Sequence, residues 1–217
     1  MKKICIFILL FSIACHFKNN WKCIEGNCIN GVGKRQWADG GFEKGNWING
    51  KLNGQGEQFF GSNSDFAGDT YIGEFVNDLY SGKGIYYDKS EDAKYDGEWI
   101  NGKFDGKGIA RWGDKSKYPK QYYDGEWKEG KKDGYGTIFW GIAGENANHK
   151  YQGEWKNDQM NGYGRYDWPD GSHYIGFWEN DNQQGEGIYT FPDGRKLHGT
   201  WIDGYCKELA IELYGHE

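Results

Sequence analysis

A short pattern recurs along this chain and constrains its fold more than any other feature. It consists of a glycine with one aromatic residue two positions before it and another two positions after it. Every copy except the last is followed by a polar turn and then by two glycines spaced two apart. The steps between the second aromatic residues are 28, 24, 28, 28, 23 and 23 residues. The basic unit is thus about 23 residues, a length typical of solenoid repeats. The copies are YIGEF (71–75), YDGEW (95–99), YDGEW (123–127), YQGEW (151–155) and YIGFW (174–178), with two degenerate copies, EKGNW (43–47) and LHGTW (197–201).

The repeated pattern predicts β-hairpins, because its alternation has the period of a strand. In the copy at 95–99, Tyr95, Gly97 and Trp99 point to one face, and the glycine leaves a gap between the rings. The Gly-x-Gly that follows opens a second strand whose bare positions can accept rings from a neighbouring strand. Each unit must therefore stack on the next one to bury its aromatic face. Turn residues that tolerate a positive φ separate the two strands: Asn77-Asp78, Asn101-Gly102, Glu129-Gly130, Asn157-Asp158 and Asn180-Asp181.

The composition agrees with a core made of rings packed over glycines. The 217 residues include 11 Trp, 16 Tyr, 12 Phe and 36 Gly, whereas only five Leu and two Val follow residue 14. Compact two-layer domains are filled mainly by Leu, Ile and Val. An ordinary two-layer domain is therefore disfavoured.

The pattern YxGxW, a Gly-x-Gly pair and a closing Pro-Asp-Gly turn (169–171 and 192–194) together resemble the MORN repeat (membrane occupation and recognition nexus). The resemblance covers residues 26–204. It implies an all-β fold, an elongated single-layer twisted antiparallel sheet of about seven to eight stacked β-hairpins. Residues 15–25 and 205–217 would cap the ends. The resemblance implies a scaffold or protein–protein interaction module, with a homodimer through the end repeats, and it implies no reaction.

The same resemblance implies a shallow groove lined by aromatic side chains. A ligand-binding module that takes a glycan, a peptidoglycan strand or a peptide is thus the alternative to a scaffold. The regular placement of the rings is first explained by packing. The candidate groove residues are Tyr71, Tyr95, Trp99, Tyr123, Trp127, Tyr151, Trp155, Tyr174 and Trp178.

The first 14 residues predict a secretory signal peptide. Lys2 and Lys3 precede an apolar run that ends at Ala14, as in signal peptides, and the run is shorter than the roughly 20 residues of a spanning helix. The sequence SIAC (12–15) resembles a bacterial lipobox, in which Cys15 would be acylated, although Ser12 departs from the usual aliphatic residue. We therefore expect an exported lipoprotein of the cell envelope, at the outer membrane or cell surface of a bacterium. A soluble exported protein is the alternative.

The cysteines beyond residue 15 give one pairing prediction. Cys23 and Cys28, in CIEGNC, are close enough to form a disulfide in an oxidising compartment, while two buried thiols are the alternative. A zinc site is disfavoured, because no second cysteine pair accompanies the first. Cys206 stands alone.

Charge and motifs exclude several functions. Removal of residues 1–14 takes away two lysines and leaves 24 basic and 32 acidic residues, a net charge of −8. Such a chain has no electrostatic footprint for nucleic acid and little attraction to anionic lipids. Its glycine pairs lack the third glycine of a dinucleotide loop. The sequence predicts no enzyme, cofactor or metal site.

Four glutamates recur at one repeat position and predict an acidic column on the face opposite the rings. The simplest interpretation is a solvated face that opposes aggregation. A site for divalent cations or a basic partner is the alternative, but no calcium-loop spacing supports a metal. The four residues are Glu74, Glu98, Glu126 and Glu154.

Overall fold

The computed structural model describes residues 21–207 and 210–212, and every regular element in these ranges is a β-strand. The chain forms two compact units. Unit 1 comprises residues 21–116 with Lys128–Gly130, and unit 2 comprises residues 117–127 and 131 onward. The predicted signal peptide (1–14) and Cys15 lie outside the described residues, as do most of the residues after 207.

Unit 1 is an antiparallel meander in which each strand pairs with the next one along the chain. Its hairpins are therefore consecutive, as the repeat predicts. The strands are β1 (Trp21–Gly26), β2 (Gly31–Trp37), β3 (Phe42–Ile48), β4 (Lys51–Phe59), β5 (Thr70–Val76), β6 (Leu79–Asp88), β7 (Ala93–Ile100) and β8 (Lys103–Trp112).

Unit 2 continues the same pattern from β9 to β15, and β15 also pairs with β16 and β17 near its two ends. The strands are β9 (Tyr122–Lys128), β10 (Lys131–Phe139), β11 (Lys150–Lys156), β12 (Gln159–Asp167), β13 (His173–Glu179), β14 (Asn182–Thr190), β15 (Lys196–Ile202), β16 (Tyr205–Cys206) and β17 (Ala210–Glu212). The predicted all-β fold of successive antiparallel hairpins is confirmed in both units.

The first aromatic residue of each copy covers the glycines of its own hairpin. In β5 and β6, Gly73 lies opposite Gly84, and a Cβ on Gly84 would overlap the Tyr71 ring. The Tyr71 hydroxyl donates a hydrogen bond to the backbone oxygen of Glu74 at 3.0 Å. Tyr95, Tyr123, Tyr151 and Tyr174 repeat the arrangement, and all five tyrosines have 0% exposed surface.

The second aromatic residue joins a hairpin to the preceding one. The indole Nε1 of Trp99 donates a hydrogen bond to the backbone oxygen of Gly84 at 3.0 Å. Trp47 bonds in the same way to Gly33 and Trp155 to Gly136, whereas the buried Nε1 atoms of Trp178 and Trp201 have no hydrogen-bond partner within the described part of the chain. The sequence predicts that rings cover a neighbouring hairpin, whereas in the structure the two rings differ in role. The tyrosine closes one hairpin, and Trp47, Trp99 and Trp155 each bond to the hairpin before their own.

The four recurring glutamates stabilise the point where each hairpin bulges. The register shifts beside Glu98, and the Glu98 carboxylate accepts a hydrogen bond from the backbone N–H of Lys107 at 2.9 Å. It occupies the space where a side chain on Gly106 would lie. Glu74, Glu126 and Glu154 make the equivalent bonds. These carboxylates have a structural role that the sequence did not indicate.

We predict that Gly108→Ala destabilises the protein by about 3 kcal/mol, because the added Cβ overlaps the buried Tyr95 ring and overpacks the hairpin. Gly102→Ala in the turn of the same hairpin is the matched control. No atom lies within 4 Å of its Cβ, so it carries only the cost of a positive φ, about 1 kcal/mol. Urea unfolding measures both variants, and equal losses would contradict the proposed packing.

We also predict that the protein unfolds steeply as pH rises above about 10, the ordinary tyrosine pKa. Burial raises the pKa of Tyr174 to about 12, and it raises the pKa values of Tyr71, Tyr95, Tyr123 and Tyr151 further. The folded state holds these protons more tightly than the unfolded state, so its stability is complete below pH 10 and is lost above it. Phenolate absorbance and circular dichroism should therefore change together. Ionisation of these tyrosines in a protein that stays folded would contradict the prediction.

Candidate functional site

One position in the repeat differs in chemical character between the two units. It is the second residue of the strand after the hairpin turn, and where its pairing is described it lies opposite the second aromatic residue of the pattern. In unit 1 this position is apolar at every copy: Leu52, Tyr80 and Phe104. In unit 2 it is occupied by Lys132, Met160, Gln183 and Cys206. We call it the cover position.

In unit 1 the chain covers its own aromatic face. The ring of Tyr80 stacks on Tyr71 with 3.7 Å between centroids, and Phe104 stacks on Tyr95 at 3.6 Å. The edge of Trp99 contacts both Tyr71 and Tyr80. Rings of the chain therefore fill the space that a ligand would need.

A buried polar network closes the beginning of the same face in unit 1. The Arg35 guanidinium bonds to Glu43 and lies 4.4 Å from the ring centroid of Trp47. Gln58 donates a hydrogen bond to Glu43 and accepts one from Tyr80. Burial raises the pKa of Glu43 to about 7, although Arg35 acts in the opposite direction. This cation is thus held by an indole face and a carboxylate of its own chain.

In unit 2 the aromatic face is open and forms a cavity of about 540 Å³. We call this cavity the unit 2 groove. Its floor consists of side chains that are more than nine-tenths buried, and two half-buried tryptophans stand at one side, where β10 and β12 end. The floor residues are Trp155, Met160, Tyr166 and Trp178, and the rim tryptophans are Trp140 and Trp168.

The opposite side of the groove is polar, because the hairpin turns lie there. Asp158 bonds twice to the backbone of Lys132: its Oδ1 accepts the Lys132 N–H at 3.0 Å, and its N–H donates to the Lys132 oxygen at 2.9 Å. Asp181 bonds in the same way to Met160, at 2.8 and 3.1 Å. Asn182 and Gln183 complete this side. The carboxylates are therefore fixed at equivalent places in successive repeats.

Lys132 occupies one end of the groove. Its Nζ lies 4.5 Å from the ring centroid of Trp155 and 5.9 Å from that of Tyr123. Burial lowers the pKa of Lys132, while Asp158 and Asp181 act to raise it. The groove thus combines indole faces, two carboxylates and one ammonium group.

Comparison with known proteins assigns the family. Seven segments, together more than half of the chain, match the model of the MORN repeat: residues 29–42, 44–64, 71–92, 95–117, 123–142, 151–173 and 174–194. The chain belongs to the MORN repeat family. The degenerate copy at 43–47 overlaps the second matched segment, which begins at residue 44, whereas the copy at 197–201 lies after the last segment.

Three solved structures show low similarity to these MORN repeats. The SAS-4 TCP domain of Drosophila melanogaster, solved with a proline-rich motif, is 16% identical with a TM-score of 0.44, over 83% of this chain and 90% of that chain. The TCP10c domain of Drosophila melanogaster Sas-4 gives 15% and 0.42, over 83% and 99%. The Danio rerio CPAP TCP10 domain, solved with a STIL peptide, gives 14% and 0.32, over 88% and 99%. Such values assign no function. Among curated proteins, no sequence matches the chain significantly.

Most of the nine predicted groove residues form the core of the MORN repeats. Tyr71, Tyr95, Tyr123, Tyr151 and Tyr174 have no exposed surface, and Trp99 is 1% exposed. Trp127 is also buried and does not line the unit 2 groove. Only Trp155 and Trp178 of the nine line it.

Sequence reasoning missed the residues that make the groove distinctive. Trp140, Tyr166 and Trp168 lie outside the YxGxW pattern, and Lys132, Asp158 and Asp181 lie in and after the turns. One signal in the sequence could have located the groove. After Phe104 the residues at the cover position change from apolar to polar or flexible.

The structure contains the predicted disulfide and bears on metal sites and membrane-spanning helices. Cys23 and Cys28 are joined, with their Cα atoms 5.9 Å apart. Among the described residues, no three His, Cys, Asp or Glu side chains are grouped to hold a metal ion. That same part of the chain contains no helix long and apolar enough to span a membrane.

We predict that Asp158 stabilises unit 2 through its side-chain oxygen and its positive φ. Asp158→Asn keeps both features and should be close to wild type. Asp158→Gly keeps the backbone form that Gly102 adopts at the equivalent turn, but it loses the bond to the Lys132 N–H, at a cost of about 1 kcal/mol. Asp158→Ala adds the strain of a φ of 73° and should cost about 2 kcal/mol or more. Thermal unfolding should rank the variants in that order; an alanine variant as stable as the asparagine variant would contradict this role.

Proposed function

We propose that this chain is a non-enzymatic interaction module that holds an extended segment of a partner protein in the unit 2 groove. MORN repeats build protein-interaction modules. The observation that carries the proposal is the contrast at the cover position: rings fill the aromatic face in unit 1, and the same face is open in unit 2.

The periodicity of the groove favours a linear ligand. Trp155 and Asp158 recur one repeat later as Trp178 and Asp181, so successive hairpins offer the same pair of contacts. Strands lie about 4.8 Å apart, and two hairpins are therefore separated by about 10 Å. An extended chain covers this distance in about three residues, at about 3.3 Å per residue. A peptide can thus place one side chain at each repeat.

The polar groups of the groove support binding rather than a reaction. Asp158 and Asp181 each use one carboxylate oxygen to accept a backbone hydrogen bond, which fixes the turns. An acid–base pair needs two groups that converge on a reacting atom. The geometry here instead repeats one carboxylate per hairpin, so we propose that the chain is not an enzyme.

The groove proposal is tested by filling the cavity with a side chain that the protein already uses. Met160→Phe copies Phe104, whose ring stacks on the tyrosine of its own hairpin. A displayed peptide library selected on the wild-type chain should yield sequences that bind it and lose at least tenfold in affinity for Met160→Phe. Ile100→Ser, on the exposed side of β7, is the matched control and should bind as wild type does.

Two results would overturn this proposal. Selected peptides that bind wild type and Met160→Phe equally would show that the groove is not the contact face. Peptidoglycan or glycan fragments that displace every selected peptide, and that themselves fail to bind Met160→Phe, would favour the alternative ligand class. Circular dichroism confirms that each variant is folded.

We also propose that the protein is exported and anchored by a lipid on Cys15, so that the module works at the bacterial cell envelope. The Lys2-Lys3 start, the apolar run and the SIAC sequence support this proposal. Incorporation of a clickable fatty acid should be complete in wild type and absent in Cys15→Ala. Equal labelling of the two would contradict the anchor, and export without labelling would indicate a soluble exported protein.

A homodimer is the remaining part of the proposal. All six residues of β1 are exposed, including Trp21 and Ile24. Apolar side chains on an exposed strand favour pairing with another chain. Sedimentation equilibrium should show a dimer that Ile24→Lys dissociates, and a monomeric wild type at high concentration would exclude it.

A further inference from the structure

We infer that the partner segment lies in the unit 2 groove in the polyproline II conformation, with one proline against Trp140 and another, three residues later, against Trp168. The inference rests on the proposed function, because it specifies the conformation and the composition of the segment that the groove holds. Proline-rich segments favour this conformation before they bind, so little of their freedom is lost on binding.

The two rim tryptophans occupy the same backbone position in successive repeats. Each one directly follows the last residue of its strand, β10 or β12, and its backbone N–H donates to the carbonyl of the residue before the next strand. The acceptor is His149 for Trp140, at 3.1 Å, and Ser172 for Trp168, at 3.0 Å. The Tyr166 ring lies between the indoles, with its centroid 5.5 Å from that of Trp140 and 4.6 Å from that of Trp168. The indoles are therefore at most about 10 Å apart, the spacing of successive hairpins.

This spacing suits a polyproline II helix better than a β-strand. Three residues cover about 9 to 10 Å in either conformation. In a β-strand, side chains three positions apart point to opposite sides, so only one of them can face the groove. A polyproline II helix has three residues per turn, and every third side chain therefore returns to the same edge. Of these two conformations, only polyproline II places side chains on both indoles at the spacing of one repeat.

The chemistry of the rim also fits a proline-rich segment. Among residues 21–207 and 210–212, the indole Nε1 atoms of Trp140 and Trp168 have no hydrogen-bond partner, whereas Trp155 uses its Nε1 to bond to Gly136. The carbonyl groups of a polyproline II helix make no internal hydrogen bonds and can accept from these indoles. Proline adds no N–H that would need an acceptor, and its ring packs well in grooves lined by aromatic side chains.

Two other rings at this backbone position are covered by the chain itself. The Arg35 guanidinium lies 5.3 Å from the ring centroid of Trp37 in unit 1, and that of Arg195 lies 5.2 Å from the centroid of Phe191 after β14. The rim tryptophans line the cavity instead. The site therefore has two proline positions and ends before Phe191.

The charges around the cavity limit the residues between the prolines. The lining carries two carboxylates, Asp158 and Asp181, and one ammonium group, Lys132. The mature chain would also carry a net charge of −8. A neutral or basic segment is complementary to this surface, whereas an acidic one is repelled.

The test uses the full chain and two peptides of equal composition, acetylated and amidated at their ends. In the matched peptide, three prolines recur at every third residue among alanines. In the mismatched peptide, the same prolines recur at every second residue, so no two of them are three apart. Binding is followed through the indole N–H resonances of Trp140 and Trp168. We expect the matched peptide to shift both signals saturably and the mismatched peptide to bind at least about tenfold more weakly.

Three variants locate the effect, and circular dichroism confirms that each is folded. Trp168→Ala removes one ring and should lower affinity for the matched peptide at least about tenfold. Trp168→Phe keeps a ring without the N–H and should bind about fivefold more weakly than wild type. Trp37→Ala removes the equivalent tryptophan of unit 1; it is the matched control and should bind within about twofold of wild type.

Two outcomes overturn the inference: equal binding of the matched and mismatched peptides, or wild-type affinity of the matched peptide for folded Trp168→Ala. These failures are distinguishable from failure of the proposed function. Library peptides that depend on an open groove but carry no prolines three residues apart would preserve the interaction module and exclude the polyproline II site.

Discussion

The rest of the structure depends on an aromatic ring lying flat over a bare backbone. A tyrosine such as Tyr95 covers the glycines of both strands of its hairpin, where a Cβ on Gly108 would overlap it. Its hydroxyl bonds back to the strand at Glu98. Because the chain has few aliphatic residues, much of its buried apolar surface comes from this contact. In several copies a tryptophan N–H bond to the preceding hairpin joins one such contact to the next.

The tyrosines are fully buried in both units, and the repeats differ instead in the residue at the cover position. Where the cover position is Tyr80 or Phe104, the chain satisfies its own aromatic face. Where it is Lys132, Met160 or Gln183, the face stays open between the rim tryptophans and the aspartates of the turns. The strands and turns are the same in both units, and the proposed ligand-binding role of unit 2 therefore depends on its side chains.

Much of the fold could be predicted from the sequence, because its signals are local. The period of two in YxGxW gives strands, and residues such as Asn157 and Asp158 do adopt the positive φ that marks the hairpin turns. The groove could not be located, because it depends on which side chain reaches over a ring of a neighbouring hairpin. The sequence alone likewise predicts that the Glu98 side chain is solvated. Its hydrogen-bond partner, the backbone N–H of Lys107, lies on the other strand of the hairpin, where local sequence does not indicate it.

The central claim is that the cover position decides whether the aromatic face is open. Its most direct test is the accessibility of individual indoles, measured as broadening of fluorotryptophan signals by a soluble paramagnetic agent in wild type and in Tyr80→Met. In wild type, the signals of Trp140 and Trp168 should broaden and that of Trp99, which is 1% exposed, should not. In Tyr80→Met the signal of Trp99 should broaden as well. A Trp99 signal that stays sharp in the folded variant would contradict the account.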